Sequence, residues 1–501
     1  MRKTWIAILT CTGAAAMLIY GCTSTSVRPE KEGVKEDSSP YPFAMPPTKV
    51  LRSSQKKVFA HYFIPFPVSI DNKDPSCDYY SRHYMRPEGE NNKFAKNGGF
   101  IRQRPLPRPP RPEKEWDRLD MEHEIRLAVD AGLDGFACDI LGTGNFLKRV
   151  AKLMDAAVKI DPGFAIMIMP DMEAEFKGHP ERMVPAVIEL AAHPASYRLP
   201  DGRLVLAPYN AQRQTPAWWK ERIAELEKAG IRVAFMPLFQ GWRKYAADFA
   251  PISYGFSEWG MRTPSGAKAQ QAWPSEAHKF VGVWMMPVAP QDARPKGLGY
   301  WEAHNSLAYR MLWASAIDGG ADWVQVVTWN DYSEASEIAP SSSTQYAFYD
   351  LTAYYTAWFK TGHPPKVTRD AILYFHRIQA MSAPFTDKRQ AKPFSCVDKD
   401  PHDEIEAVAF LTAPALIEIE VAGEKKQMKA DAGLVSCTVP LRPGRPLFRI
   451  IRDGVVSVEL QDQWPIVSGS PFQDPVYHAG GSNRPFVTIP SFKEPLEKEK
   501  K

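Results

Sequence analysis

Between residues 58 and 358 short apolar runs alternate with amphipathic stretches, and this rhythm constrains the fold more than any single motif does. The apolar runs fall at 58–63, 135–140, 165–169, 204–207, 232–236, 254–258, 281–286 and 324–329, and each reads as a strand. Helical periodicity occupies 116–131, 145–160, 181–193, 217–229, 302–317 and 345–360. Gly132, Gly230 and Gly319 stand just past three of these stretches, where a left-handed helix stop is needed. Eight strands with intervening helices close a (β/α)8 TIM barrel. An open doubly wound sheet is the competing arrangement, but no glycine-rich phosphate loop follows any early strand. The expected fold is therefore α/β, with the barrel over 51–366.

Beyond residue 367 the rhythm changes to short alternating runs at 405–412, 416–422, 434–440 and 447–451, punctuated by Gly423, Gly433, Gly444 and Gly454. This predicts a small C-terminal β-sandwich domain over 367–490, followed by a charged tail at 491–501. Residues 64–115 are too long for an ordinary strand-to-helix loop, so they read either as a lid or wall over the carboxyl ends of the strands or as an insertion packed on the barrel rim. At the amino end, Arg2 and Lys3 precede an apolar run at 5–19 that is short for a membrane span. The run closes on Leu18-Ile19-Tyr20-Gly21-Cys22, which resembles a bacterial lipoprotein box. Residues 1–22 are thus expected to be a signal peptide with a lipid on Cys22, 23–50 a flexible tether, and the mature protein membrane-anchored, periplasmic or at the cell surface.

The balance of 62 basic against 58 acidic side chains gives no electrostatic case for nucleic acid. The 14 tryptophans favour a groove that stacks on ligands such as sugars. No zinc-type CxxC pairing occurs, so no structural metal is expected, and no obligate protein partner is evident. Cys138 sits in an apolar run and reads as a buried thiol, while Cys396 and Cys437 are either a disulfide or two free thiols.

Barrels of this kind place reacting groups at the carboxyl ends of strands. In Thr328-Trp329-Asn330-Asp331-Tyr332-Ser333-Glu334 an aromatic, an amide and two acids leave the last apolar run. Glycoside hydrolysis needs one carboxylic acid to protonate the departing oxygen and a second carboxylate to act on water or on the sugar, so Asp331 and Glu334 are the first candidates. Alone, they also read as a capping Asp and a solvated Glu. Asp171, after the third strand, is the third catalytic candidate, and it or Asp139 is the water-activating partner should Asp331 and Glu334 lie too close together. His61, Asp139, Glu258, Trp259, Trp329, Asn330 and Tyr332 are candidates for holding sugar. Asp139 is preferred to Asp134, which opens its strand at the opposite, stability face. A lone histidine such as His61 is more often a satisfied core residue, though an inward-pointing imidazole could bind a sugar hydroxyl.

With Val58-Phe59-Ala60-His61-Tyr62-Phe63, Ala131-Gly132-Leu133-Asp134-Gly135-Phe136-Ala137, Met169-Pro170-Asp171-Met172 and Val327-Thr328-Trp329-Asn330-Asp331-Tyr332-Ser333-Glu334-Ala335-Ser336, the chain resembles glycoside hydrolase family 71, the α-1,3-glucanases or mutanases. The stretch from Glu404 to Gly454 is similar to the carboxyl-terminal β-domain of that family. The resemblance implies a cofactor-free enzyme cleaving α-1,3-glucan with inversion, with Asp331 and Glu334 as the acidic pair. It departs from the family pattern at Ser333, where Gly is usual, at Ala335-Ser336-Glu337, and at Asp139, commonly Asn. The alternatives are a non-catalytic glycan-capture lipoprotein and an endo-acting hydrolase of another polysaccharide such as a mannan.

Overall fold

The computed structural model describes residues 39–493. Its central sheet is parallel. The first strand, Lys57–Phe63, pairs with the second, Gly135–Ile140, on one side and with the last, Trp323–Val326, on the other. The third strand is Ala165–Pro170, the fourth Leu204–Leu206, the sixth Gly255–Glu258 and the seventh Val283–Val288. The fifth is broken. Its first piece, Val233–Phe235, pairs with the fourth strand, and its second, Leu238–Phe239, pairs with the sixth. Pro237 has no N–H to offer a ladder, which places the interruption. The Tyr254 and Ser257 amides still reach across, donating to Phe235 O at 2.7 Å and Pro237 O at 3.0 Å. The ring thus closes as an eight-stave barrel.

Six helices match the predicted ones: Trp116–Asp130, Asn145–Ile160, Met183–Ala191, Pro216–Lys228, Leu307–Asp318 and Ala347–Thr361. The fifth starts later than expected because Glu302 is taken by the Arg377 guanidinium at 3.0 Å and His304 and Asn305 adopt positive φ. Its stop also differs by one residue. Gly319 is right-handed at φ −74° and Gly320 is the left-handed residue at φ 75°. Gly319 is needed for space instead, since a Cβ there would meet Gln271 O and Ser315 O at 2.5 Å. Two short helices, Pro264–Gln270 and Trp273–Ala277, follow the sixth strand, where no helix was expected.

Alternation sorts the strand side chains into two cores. Val58, Ala60, Phe136, Cys138, Ile166 and Ile168 face the helices, whereas Phe59, Ala137, Met167, Met169, Val205 and Met285 fill the barrel. The same rule builds the C-terminal region. The sheet made of Gly433–Pro440, Glu404–Leu411, Ala371–His376 and His478–Gly481 stacks on a second sheet of Glu424–Ala430, Ala415–Val421, Leu447–Arg452 and Val455–Gln461. Ile372, Tyr374, Ala407 and Ala409 point into this sandwich with Ile417, Ile419 and Phe448, while Leu373, Phe375, Val408 and Phe410 point the other way into the barrel's helical layer. Barrel and sandwich share that apolar layer. Tyr41 and Phe43, expected in the flexible tether, are buried here against Tyr349 and Phe410, and Thr48–Ser53 is a short helix, so residues 41–43 are packed. The proposed leader with Cys22, and residues 494–501 of the tail, lie outside the described residues. Cys396 and Cys437 are both free thiols.

Glu124 is buried between the helix Trp116–Asp130 and the barrel wall, accepting from Tyr62 Oη at 2.8 Å and Trp329 Nε1 at 3.1 Å. Burial pushes its carboxyl up to about 8. The folded state therefore keeps a proton that the unfolded chain sheds near its ordinary value. The stability this group provides is complete below that value and is lost as pH rises toward 8, by roughly 3 kcal/mol between pH 5 and pH 7 at 1.36 kcal/mol per unit. A Gln at 124 can accept from Trp329 and donate to Tyr62. Thermal melts of Glu124→Gln should show a gain over the parent that grows from pH 5 to pH 8, and a gain independent of pH would contradict this account.

Candidate active site

On each contributing strand the inward row of side chains leads to a polar or aromatic candidate near the carboxyl end. Following Phe59, Ala137, Met169, Ala207 and Ser257 by two residues gives His61, Asp139, Asp171, Tyr209 and Trp259. All five gather at the carboxyl-terminal mouth of the barrel. His61 Nε2 lies 3.6 Å from Asp139 Oδ2, and its ring meets Trp259 edge-on at 4.9 Å. Tyr209 packs on the same indole at 4.9 Å. Burial lowers the His61 imidazole to about 4, although Asp331 and Asp171 pull it upward, so the ring is neutral at ordinary pH. The Nδ1 of His61 and the Oδ1 of Asp139 have no protein partner.

The eighth strand ends at Val326, and the chain then turns across the mouth. Asp331 is held in an Asx turn. Its N–H donates to Thr328 Oγ1 at 2.8 Å, and its Oδ1 accepts from the Ser333 N–H at 2.9 Å and hydroxyl at 2.7 Å. Glu334 is more open, with 20% of its side chain exposed, and its Oε2 accepts from Arg294 Nη2 at 3.0 Å. Arg294 is itself clamped by both oxygens of Asp292 at 2.8 Å, and Arg262 backs Asp292 at 3.4 Å. Burial and the nearby Asp292 and Asp331 charges drive the Glu334 carboxyl well above its usual range against the pull of Arg294 and Arg262. Burial also raises Asp331, opposed by the two Ser333 hydrogen bonds, His61 and Arg294. Asp139 is raised far above its ordinary value by burial and by Asp331. Asp171, which accepts from the Glu173 amide at 2.6 Å, is raised by burial and Asp139 to about 7.

Four sugar-holding candidates are placed elsewhere. Glu258 has the parity of Phe256, not of Ser257, so its carboxylate leaves the barrel and accepts from the Gly241 and Trp242 amides at 2.8 and 2.7 Å. It pins the loop after the fifth strand. Trp329 follows the end of regular pairing, so alternation no longer directs it, and its indole packs on Phe136 outside the barrel. Asn330 clamps the first strand through Phe63 N at 2.7 Å and Phe63 and Phe66 O at 3.0 and 2.9 Å. Tyr332 is buried with Phe66 and Tyr80 of the 64–115 insertion. That insertion is a wall fixed to the turn that carries Asp331 and Glu334. Gln103 Nε2 donates to Glu337 Oε2 at 2.6 Å, and Arg104 forms a buried pair with Asp78.

Tyr209, Asp292, Arg294 and Arg262 escaped the sequence reading, and Glu337 entered it only as a departure from the family pattern. Tyr209 was within reach, two residues past Ala207 on a recognised strand, whereas the Asp292–Arg294 clamp lies in a loop whose path no periodicity reveals. Among the described residues, no three His, Cys, Asp or Glu side chains converge to hold a metal ion.

Residues 112–477 match the family described as Glycosyl hydrolase family 71. The chain belongs to that family. It is therefore a glycoside hydrolase. A glucan endo-1,3-alpha-glucosidase of Schizosaccharomyces pombe is 21% identical over 364 residues, spanning 66% of this chain and 84% of that protein. A mutanase of Penicillium rubens is 20% identical over 366 residues, spanning 68% and 80%. Among solved structures, the GH99 endo-alpha-mannosidase from Bacteroides thetaiotaomicron is similar over 61% of this chain and 97% of its own, with a TM-score of 0.48 and 16% identity.

The guanidinium beside Glu334 has a measurable signature. Removing it with Arg294→Met should raise the Glu334 carboxyl further and move the alkaline limb of the kcat/KM profile to higher pH by about one unit or more. An unmoved limb would disconnect Arg294 from the titrating acid.

Proposed function

We propose that this family 71 hydrolase cleaves α-1,3-glucan with inversion, with Glu334 giving its proton to the departing glycosidic oxygen and Asp331 activating the attacking water. The observation that supports the roles is the contrast between two neighbouring carboxyls. Glu334 has few hydrogen bonds favouring its anion and two further acids beside it, so it retains its proton. Asp331 is supplied with two donors from Ser333 that favour its charged form. A pair whose surroundings push the two titrations apart is the arrangement acid/base catalysis requires. The substrate reading is supported by the activities for which the two fungal relatives are named. His61, Asp139, Tyr209 and Trp259 supply a neutral ring, a carboxyl, a phenol and an indole face suited to sugar hydroxyls and an apolar sugar face.

Asp171 supports a second assignment of the base. It stands on the third strand, across the mouth from the eighth, and its titration near 7 suits a general base at neutral pH. Assays on α-1,3-glucan separate the two. Glu334→Gln should lose about a thousandfold in kcat, and whichever of Asp331→Asn and Asp171→Asn loses comparably while erasing the acidic limb is the base. With the parent, activity should rise as the base ionises and fall as Glu334 loses its proton. Proton NMR of the first product should show the β-anomer, and an initial α-anomer would reject inversion.

The lipid on Cys22 completes the proposal, placing the enzyme at a membrane surface facing a polymer too large to enter the cell. Membrane fractions should contain the parent, and Cys22→Ser should shift it to the soluble fraction; unchanged membrane retention would reject the anchor.

A further inference from the structure

The connection that carries Asp331 and Glu334 at its start carries Gln345 and Tyr346 at its end, and there it walls a second cleft of about 280 Å³. The helix Ala347–Thr361 begins at this point, and helices of a (β/α)8 barrel begin on the pole where the strands end. One wall of the cleft therefore lies near the pole that carries Asp331 and Glu334, and its other walls come from the sandwich. Leu373, Tyr374 and Gly480 of the inner sheet line it, joined by the edge strand near Glu459 and by the chain after the last strand at Ser482 to Phe486. Gly480 is required for that packing, since a Cβ there would stand 2.6 Å from Tyr374 Oη.

The charges around the cleft are matched. Arg484 is paired with Asp350 at 2.7 Å and lies over the Tyr346 ring at 4.5 Å, and Glu459 is paired with Arg449 at 2.7 Å. An anion or a cation finds no unbalanced partner. What remains for a ligand is the partly exposed Phe486 and Tyr346 rings beside neutral hydrogen-bonding groups, with Gln463 and Ser482 exposed. Aromatic faces next to neutral donors and acceptors, in a volume near the lower end of ligand pockets and sufficient for about one or two sugar rings, fit an uncharged carbohydrate.

We propose that this cleft is a non-catalytic holding site for the same uncharged polysaccharide, gripping a stretch of chain beyond the one being cut. The inference rests on the substrate reading above. One polymer bound at two places on one enzyme is retained through effective concentration, with no new contact at the catalytic mouth.

Two variants test it, Phe486→Ala, which removes a ring, and Gln463→Arg, which crowds the cleft from an exposed position. In a Glu334→Gln background each should lower affinity for insoluble α-1,3-glucan about tenfold. With Glu334 intact, each should slow hydrolysis of the insoluble polymer several-fold and leave hydrolysis of a short soluble α-1,3-oligosaccharide at the parent rate, which also shows that the variant is folded. If both variants bind and cleave the polymer like the parent, or if every folded variant loses activity equally on both substrates, the holding site is rejected while the substrate reading stands. A parent inactive on both substrates overturns the substrate reading, and this inference with it.

Discussion

The crowding of carboxyl groups at a mouth that water barely reaches governs the chemistry of this enzyme. Asp139, Asp171, Asp331 and Glu334 would repel one another strongly if all were charged in so poorly screened a space. Two arginines, one of them clamped, offset part of that charge, and the remainder is relieved by retained protons. His61 stays neutral despite that crowding, because burial outweighs the attraction of the acids around it. The site thus sets carboxyls raised to different extents side by side at one end of the barrel.

The position of each acid follows from a simpler constraint. A strand side chain faces either the barrel interior or the helices, and a shift of one residue exchanges the two. Asp139 and Asp171 were legible in the sequence because each sits at the end of a recognisable apolar run, and His61 because it is a lone polar ring inside one. Glu258 satisfied the same description and still faces outward, since being terminal says nothing about parity. Counting back from Ser257, which is directed inward to Met285 O, separates Glu258 from Trp259. Trp329, Asn330 and Tyr332 lie past the last paired residue, where neither end position nor parity informs, and the chain uses all three to fasten the Asp331–Glu334 turn in place.

The eight staves, six of the helices and the sandwich were legible because burial on one or both faces imprints a period on the sequence. The polar edge strand Glu424–Ala430 was not, because it buries little and so carries little apolar signal. The broken fifth strand was only half visible, since Pro237 marks the interruption without showing that pairing resumes beyond it. The Asp292–Arg294 clamp was invisible for a different reason. It acts through one ion-paired geometry between distant loops, and no local pattern encodes such a meeting.

The inner sheet of the sandwich gives Leu373, Phe375, Val408 and Phe410 to the barrel's outer layer while its other face closes a core of its own. Such a sheet is a party wall. Cutting the gene near residue 367 would strip two cores at once, so the two halves are not exchangeable cassettes. Grafting this β-unit onto another scaffold, or trimming the enzyme to its catalytic barrel, would leave bare greasy faces that favour precipitation. Any recombination in this lineage has to move both halves together or repack the seam.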